Sequence, residues 1–314
     1  MYLPSIMQKR EEVADEDDWS VYHYDPSLPA AIAFAALYLI PTCYHVYIAW
    51  ASYRGDRYFR YSYCIPIIIA GFVEINGYGQ RAGSTQSIQD IGLFATSQTM
   101  IVLAPVLVCA SLYILLSRII IATQPPGAEG KDSKVLGGLV KVTWLPRIFI
   151  TLDVAAMLTQ GGGSSVASAG EWQGTLLDIG QGILIAGLAV QVATFMVFLI
   201  VVIKFHRDGV RNFLLEDSML KVIYGVYIAG FFIMVRSIFR LIEFAWGVES
   251  YIMTNEWPIY VLEGVPMWLA FMVLGWYHPS RWLPASLAGE SRAKEWLTRH
   301  RRRNLPQQQS LSSV

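Results

Sequence analysis

The stretch ATSQTMIVLAPVLVCASLYILLSRIII, residues 95–121, decides the fold. It runs for 27 residues with a single charge, Arg118, near its end. A helix of about 20 apolar residues covers the roughly 30 Å hydrocarbon core of a bilayer, so this stretch is long enough to cross one. Six further stretches of the same kind lie on either side of it, at 29–51, 61–82, 144–161, 177–204, 219–244 and 257–277. The fourth in chain order, 144–161, is the weakest, because Asp153 and Gln160 interrupt it. Pro41, Pro66, Pro105 and Pro266 fall inside spans, where neighbours can satisfy the carbonyls they free, and kinks are expected there. The composition agrees: 54% of the 314 residues are apolar and 15% charged, against about a quarter charged in a soluble domain. Mean hydropathy is +0.41. The expected fold class is an all-α membrane protein, a seven-transmembrane-helix bundle.

Net charge is zero and says nothing about partners, but its distribution orients the chain. Arg54, Arg57 and Arg60 follow the first span; Arg118, Lys131, Lys134, Lys141 and Arg147 lie between the third and fourth. Lys204, Arg207, Arg211 and Lys221 lie between the fifth and sixth, and seven more Lys and Arg follow the last. Every second loop is therefore basic, and 19 of the 24 Lys and Arg share one side. Basic loops stay cytoplasmic, which places the N-terminus outside and the C-terminus in the cytoplasm. Residues 1–28 read as a disordered acidic extracytoplasmic tail, carrying Glu11, Glu12 and Asp15 to Asp18 without the basic start and apolar core of a cleaved signal peptide. Residues 29–280 form the helical domain, and 281–314 a basic, Ser- and Gln-rich cytoplasmic tail. Arg299 and Arg301 to Arg303 in that tail either bind anionic lipid or serve only to set topology.

Charges inside spans are the chemistry-bearing feature. Each costs about 2.5–3.5 kcal/mol at a helix centre, so they face the bundle interior or a watery cavity. The second span holds Glu74, Tyr78 and Arg81, and the fourth Asp153, Met157 and Gln160. The sixth holds Arg236, Arg240 and Glu243, and the seventh Glu256, Tyr260 and Glu263. Spacing near i, i+4, i+7 puts each set on one helix face. Given the direction of each span, all four faces fall in the outer half of the membrane. Five acids against three arginines leave a net charge of minus two. In a structural reading these groups pair between helices, for example Arg236 with Asp153 or Glu263. In a functional reading they line an acidic cavity open to the outside, where a carboxylate left over meets a cationic headgroup. Gln191, mid-span in the fifth, needs a partner in either case. Gly71, Gly77, Gly79, Gly182 and Gly187 permit close helix approach, and the run Gly161–Gly163 is expected to stop the fourth helix and open a flexible loop.

Other classes lack their signatures. Gly77-Tyr-Gly79-Gln-Arg-Ala-Gly83 has the wrong spacing for a nucleotide fingerprint and follows no strand, and no phosphate loop is present. The five histidines make no metal-ligand spacing, and no Gly-x-Ser-x-Gly elbow exists. Cys43, Cys64 and Cys109 lie in or beside apolar runs, so no disulfides are expected. Span three ends in Ser117-Arg118 without a preceding acid, and span seven has no Asn-Pro-x-x-Tyr, against a G-protein-coupled receptor; no span contains the lysine a retinal protein needs. Neither an enzyme nor a cofactor-binding or nucleic-acid-binding protein is indicated.

The same polar residues carry a resemblance. Glu74-x-x-Gly77-Tyr78-x-x-Arg81, Ala104-Pro105 with Ala110-Ser111-x-Tyr113, and Asp153 with Gln160-Gly-Gly stand in order along the chain. Gly187-Leu-x-x-Gln191, Arg236-Ser-Ile-Phe-Arg240-x-x-Glu243-Phe, Glu256-x-x-x-Tyr260 and His278-Pro279 follow. Together, over about residues 23–280, the chain resembles the fungal lipid-translocating exporter family, named after resistance to aminocholesterol, whose members include a sphingoid long-chain base exporter and a porphyrin transporter. It departs from the family at Glu263, where Asp is expected.

The resemblance implies export or translocation of an amphipathic lipid, sphingoid-base-like or sterol-like, at the plasma membrane, or resistance to a toxic one. On this reading Glu74, Asp153, Glu256 and Glu263 hold the ammonium headgroup, with Gln160, Gln191, Tyr78 and Tyr260 beside them. Arg81, Arg236, Arg240 and Glu243 set the charge balance. With no ATP site, the driving force is a gradient, proton coupling or equilibration. The alternative is a seven-helix lipid sensor that acts on other transporters through a cytoplasmic regulatory partner.

Overall fold

The structure, a computed structural model, describes residues 22, 24–54, 63–123, 134–135, 140–169, 174–211, 217–247 and 250–282. Most of the acidic tail, the basic tail from 283 onward and much of the basic loops lie outside the described residues. Seven long helices fill the described chain. They are α1 (Leu28–Arg54), α2 (Cys64–Ser84), α3 (Ile91–Ala122), α4 (Leu145–Ala169), α5 (Gly174–Arg211), α6 (Asp217–Ala245) and α7, a π-helix over Ile259–Gly264 continued as an α-helix over Val265–Trp276. A short α8 (Pro279–Trp282) follows, and a two-residue antiparallel pair, β1 (Lys134–Val135) with β2 (Val140–Lys141), sits between α3 and α4.

Among the described residues, five helices are long and apolar enough to cross a membrane by length and composition: α1, α3, α5, α6, and α7 taken with α8. The chain is thus a multi-pass membrane protein. The α2 and α4 helices are more polar, the first through Glu74 and Arg81, the second through Asp153, Gln160 and its run of glycines and serines. Both pack in the same bundle. Sequential helices contact one another in turn, α7 returns to α1, and α3 sits inside, touching α2, α4, α5 and α6.

The distribution of residue types is the reverse of a soluble domain's. Phe72 on α2, Leu158 on α4 and Phe231 on α6 point outward, more than half exposed, while Arg81, Glu74, Asp153 and Arg236 are buried. Lipid is the solvent that makes this arrangement stable.

Two local features differ from the sequence reading. Gly161–Gly163 does not stop α4, which continues to Ala169. Glycine in a helix interior costs about 1 kcal/mol against alanine, but packing decides here. A methyl group on Gly163 would fall 2.6 Å from the carbonyl oxygen of Gly180 on α5, so the absent side chain lets the two backbones meet. The close contacts on α5 are therefore at Gly180 and Gly187; Gly182 faces open space, as does Gly79 on α2. The second feature is the π-helix that opens α7. Pro266 has no N–H for the carbonyl of Leu262 and would crowd it in a regular helix. The wider turn relieves this, and the Val265 N–H donates to Tyr260 O across five residues. Pro41 and Pro105 lie inside α1 and α3, which run through them, whereas Pro66 lies in the first turn of α2, where no intrahelical N–H bond is lost.

Candidate functional site

The chain enters the bundle at the start of α1; that end is called here the entry end. Of the residues before α1, Tyr22 and Tyr24 to Ser27 are described, and they contact the bundle. Tyr22 is buried and donates to Ser84 Oγ at the end of α2 (3.0 Å), and the Ser27 backbone N–H donates to Glu256 Oε2 (2.8 Å). Between these anchors lies Arg81, wholly buried. Its guanidinium donates to Glu256 Oε1 (3.1 Å), Tyr24 Oη (2.7 Å) and Tyr260 Oη (3.2 Å), and the Tyr260 hydroxyl in turn donates to Glu256 Oε1 (2.9 Å). Burial raises the pKa of Tyr24 above the usual tyrosine value, with the Arg81 charge pulling the other way. The spacing Glu256-x-x-x-Tyr260 works because a separation of four residues, about one turn, brings the hydroxyl within hydrogen-bond reach of the carboxylate.

Deeper along the same interface, α6 and α7 share a second network. Arg236 donates to Glu263 Oε1 (2.6 Å) and to the Ile101 carbonyl (3.3 Å). Arg240 donates to Glu243 Oε2 (2.9 Å), one turn away on α6, and reaches Glu263 Oε2 at 3.5 Å. Glu263 therefore bridges two arginines. Of the two partners considered for Arg236, the structure gives Glu263. Truncating one member of such a buried set costs about 3–5 kcal/mol, because the charge left behind has no water to turn to.

Glu74 approaches this network from α2 without joining it. It is 1% exposed, its Oε2 has no hydrogen-bond partner, and no Lys or Arg among the described residues forms an ion pair with it. Aromatic rings close the space around it: Tyr38 of α1 stacks on Tyr78, the next residue along its own face, at 5.6 Å, and Phe34 bridges Tyr78 and Tyr260 at 5.4 and 4.8 Å. The Tyr38 hydroxyl donates to Gly264 O (2.8 Å), a carbonyl at the end of the π-turn.

The polar face of α4 does not join the others. Asp153, 1% exposed, accepts from the Tyr113 hydroxyl of α3 (2.7 Å), while its Oδ1 has no partner and no ion pair reaches it among the described residues. Gln160 turns to α5 and donates to Gln191 Oε1 (2.9 Å), which supplies the partner Gln191 needs.

The five acids and three arginines thus sort themselves. Arg81 takes Glu256, and Arg236 and Arg240 share Glu263 and Glu243. The two acids left over are Glu74 and Asp153, on separate helices and with different neighbours. Apart from Glu256, whose side chain is 13% exposed, the charged groups meet one another and aromatic rings, not an open space. The site is closed in this conformation. Tyr24, Ser27, Phe34 and Tyr38 belong to it and were not singled out from the sequence; Tyr22 and Tyr24, two aromatics ending an acidic polar stretch, were the available signal. Tyr113 stood in a motif without a role.

The chain is similar to several curated proteins of Saccharomyces cerevisiae. It is 25% identical to Protein RTM1 over 82% of this chain and 90% of that protein. It is 26% identical to Protoporphyrin uptake protein 1 over 80% of this chain and 89% of that protein, and 23% identical to Sphingoid long-chain base transporter RSB1 over 70% of this chain and 65% of that protein. No solved structure matches it. The family model for RTA1-like proteins matches residues 67–286, which takes in most of α2, all of α3 to α8 and all eight charged residues of the site, and the chain accordingly belongs to the RTA1-like protein family.

Proposed function

We propose that this protein translocates an amphipathic lipid with a cationic headgroup, and that the buried acids Glu74 and Asp153 receive that headgroup. One observation carries the reading: these two carboxylates are buried, and no cation among the described residues forms an ion pair with either. An ammonium ion supplies the missing countercharge, and a group that costs several kcal/mol in hydrocarbon is then retained for a use. Two of the relatives named above are a sphingoid long-chain base transporter and a protoporphyrin uptake protein, cargoes with large apolar bodies and ionisable groups. Glu256 and Glu263 contribute by exchanging their arginine partners for the cargo when the site opens. The reaction is movement, with no bond made or broken.

On this reading all seven helices cross the membrane, the entry end faces outside, and the protein works in the plasma membrane. The far end supports that orientation. Four of its tryptophans carry a cation over the ring: Trp50 with Arg54 (4.0 Å), Trp144 with Arg147 (5.4 Å), Trp276 with Arg281 (5.3 Å) and Trp282 with Lys221 (4.2 Å). Tryptophan rings at headgroup level with basic residues just beyond them mark a cytoplasmic interface.

The test is release of a labelled long-chain base from liposomes containing the purified protein, wild type beside Glu74→Gln and Asp153→Asn. Accelerated transbilayer movement by wild type, lost in both variants with the proteins still folded, is the expected result. No movement by wild type, with protection against the same lipid retained in cells, would overturn translocation in favour of lipid sensing.

A further inference from the structure

At the far end of the bundle, opposite the charged site, a groove of about 510 Å³ opens between the last three turns of α1 and the start of α8. Tyr44, Tyr47, Ile48 and Ser52 line one wall, and Ser280 and Arg281 the other. The Arg281 guanidinium donates to Tyr44 Oη (3.0 Å) and lies over the Trp276 ring at 5.3 Å, so it is held at the groove in a fixed orientation. Among the described residues it forms no ion pair, and none of those lining the groove is a carboxylate. A guanidinium in this position still has N–H donors to offer.

The hydroxyls have a consistent sense. Because Tyr44 Oη accepts from Arg281, its own proton is free to donate outward. Tyr47, on the same wall, is exposed, and neither it nor Ser52 donates to a described residue. Ser280 is different. Its backbone N–H donates to His278 Nδ1 (3.1 Å), which leaves that nitrogen as the acceptor for the Ser280 hydroxyl (2.7 Å) and the opposite nitrogen as the donor to Cys64 Sγ (2.8 Å). Ser280 therefore fastens α8 to α2 through His278, and the free donors are Arg281, Tyr44, Tyr47 and Ser52. One cation and three hydroxyl donors with no opposing acid suit a tetrahedral oxyanion. The groove lies at the same end of the bundle as Trp50 and Trp276, both half or more exposed, where lipid headgroups lie.

We propose that this groove binds the phosphate of an anionic phospholipid from the leaflet at the far end, with Arg281 as its principal contact and the tyrosine rings and Ile48 flanking the glycerol and upper acyl chains. The inference stands apart from the proposed translocation, since none of its residues belongs to the charged site. The experiment is titration of the purified full-length protein in neutral detergent with dioctanoyl phosphatidic acid, dioctanoyl phosphatidylcholine or inorganic phosphate, bound species being counted by native mass spectrometry. Wild type is expected to retain phosphatidic acid well above phosphatidylcholine and to retain no inorganic phosphate. Arg281→Gln weakens phosphatidic acid about tenfold or more and Tyr44→Phe several-fold, both with an unchanged melting temperature in detergent alone. Arg207→Gln, an exposed arginine on α5 outside the groove, leaves binding unchanged. Equal loss on replacing Arg207 and Arg281 would reduce the groove to part of a diffuse basic surface. Inorganic phosphate binding as tightly as the lipid would make it a free-anion site. No preference of wild type for phosphatidic acid would end the proposal.

Discussion

The α4–α5 pair and the α2–α6–α7 core are both buried contacts between long helices of one bundle, and they are built on opposite principles. Between α4 and α5 the helices meet backbone to backbone: Gly163 lies against the Gly180 carbonyl, Gly187 against the Ala156 carbonyl, and one amide pair, Gln160 with Gln191, is the polar link. Between α2, α6 and α7 the contacts are long side chains, with Arg236, Arg240 and Glu263 buried together. In lipid, burying apolar surface drives no association, so one interface gains from close van der Waals approach and the other from charges that have nowhere else to go. A contact of small residues is rigid and has one geometry. A contact of ion pairs has alternatives, because a charged cargo can replace a charged partner. On the proposed function, the exchangeable pairs of Glu256 and Glu263 lie in the second region, and the first serves as frame.

The comparison can be broken most severely at Glu263. Glu263→Ala leaves Arg236 buried without its ion pair and Arg240 with Glu243 alone, and is expected to cost about 3–5 kcal/mol, seen as a large fall in thermal midpoint in detergent. If the midpoint barely moves, the arginines have another counterion and the network is not the core of this region. On the other side, Gly180→Val drives a branched side chain into the backbone of α4 at Gly163 and Ala167. A loss of about 1–3 kcal/mol is expected, together with a fall in disulfide trapping between cysteines placed across α4 and α5.

Smaller effects sharpen the contrast inside the charged region. Glu74→Gln and Asp153→Asn remove a carboxylate that has no ion pair, so each should alter the thermal midpoint by the equivalent of about 1 kcal/mol or less while lipid movement is lost. A destabilisation as large as that of Glu263→Ala would show that Glu74 is a structural partner after all. The smallest effect is expected at Gly182. A methyl group there meets open space, so Gly182→Ala should leave the midpoint level or raise it by about 0.5 kcal/mol. A marked loss at that position would mean that another surface packs against α5 in the membrane.

Much of the fold was legible because lipid imposes a one-dimensional rule: a long apolar run has to be helical, and the arithmetic of length needs no knowledge of neighbours. The polar faces were legible for the same reason, since helix spacing fixes which residues share a side. Gly161–Gly163 shows where this stops. Three glycines in a row read as a helix stop by intrinsic preference, and only the surface of α5, with Gly180 and Leu184 against Gly163, makes a continued helix the better solution. The tyrosines before α1 show it as well. Tyr22 and Tyr24 sit in a polar stretch, and nothing local announces that Arg81, some sixty residues later in the chain, will lie under them.

The sequence by itself determined which stretches are helical and apolar, that eight charged groups recur at helical spacing on four polar faces, and that the acids among those eight outnumber the arginines by two. Composition and spacing are properties of the chain, and no fold can change a sum of charges. Only the tertiary structure decided which two acids those are. Pairing depends on which helix faces meet and at what depth, and α6 presents Arg236 and Arg240 to α7 while α4 turns Asp153 to a tyrosine of α3 and α2 leaves Glu74 among aromatic rings.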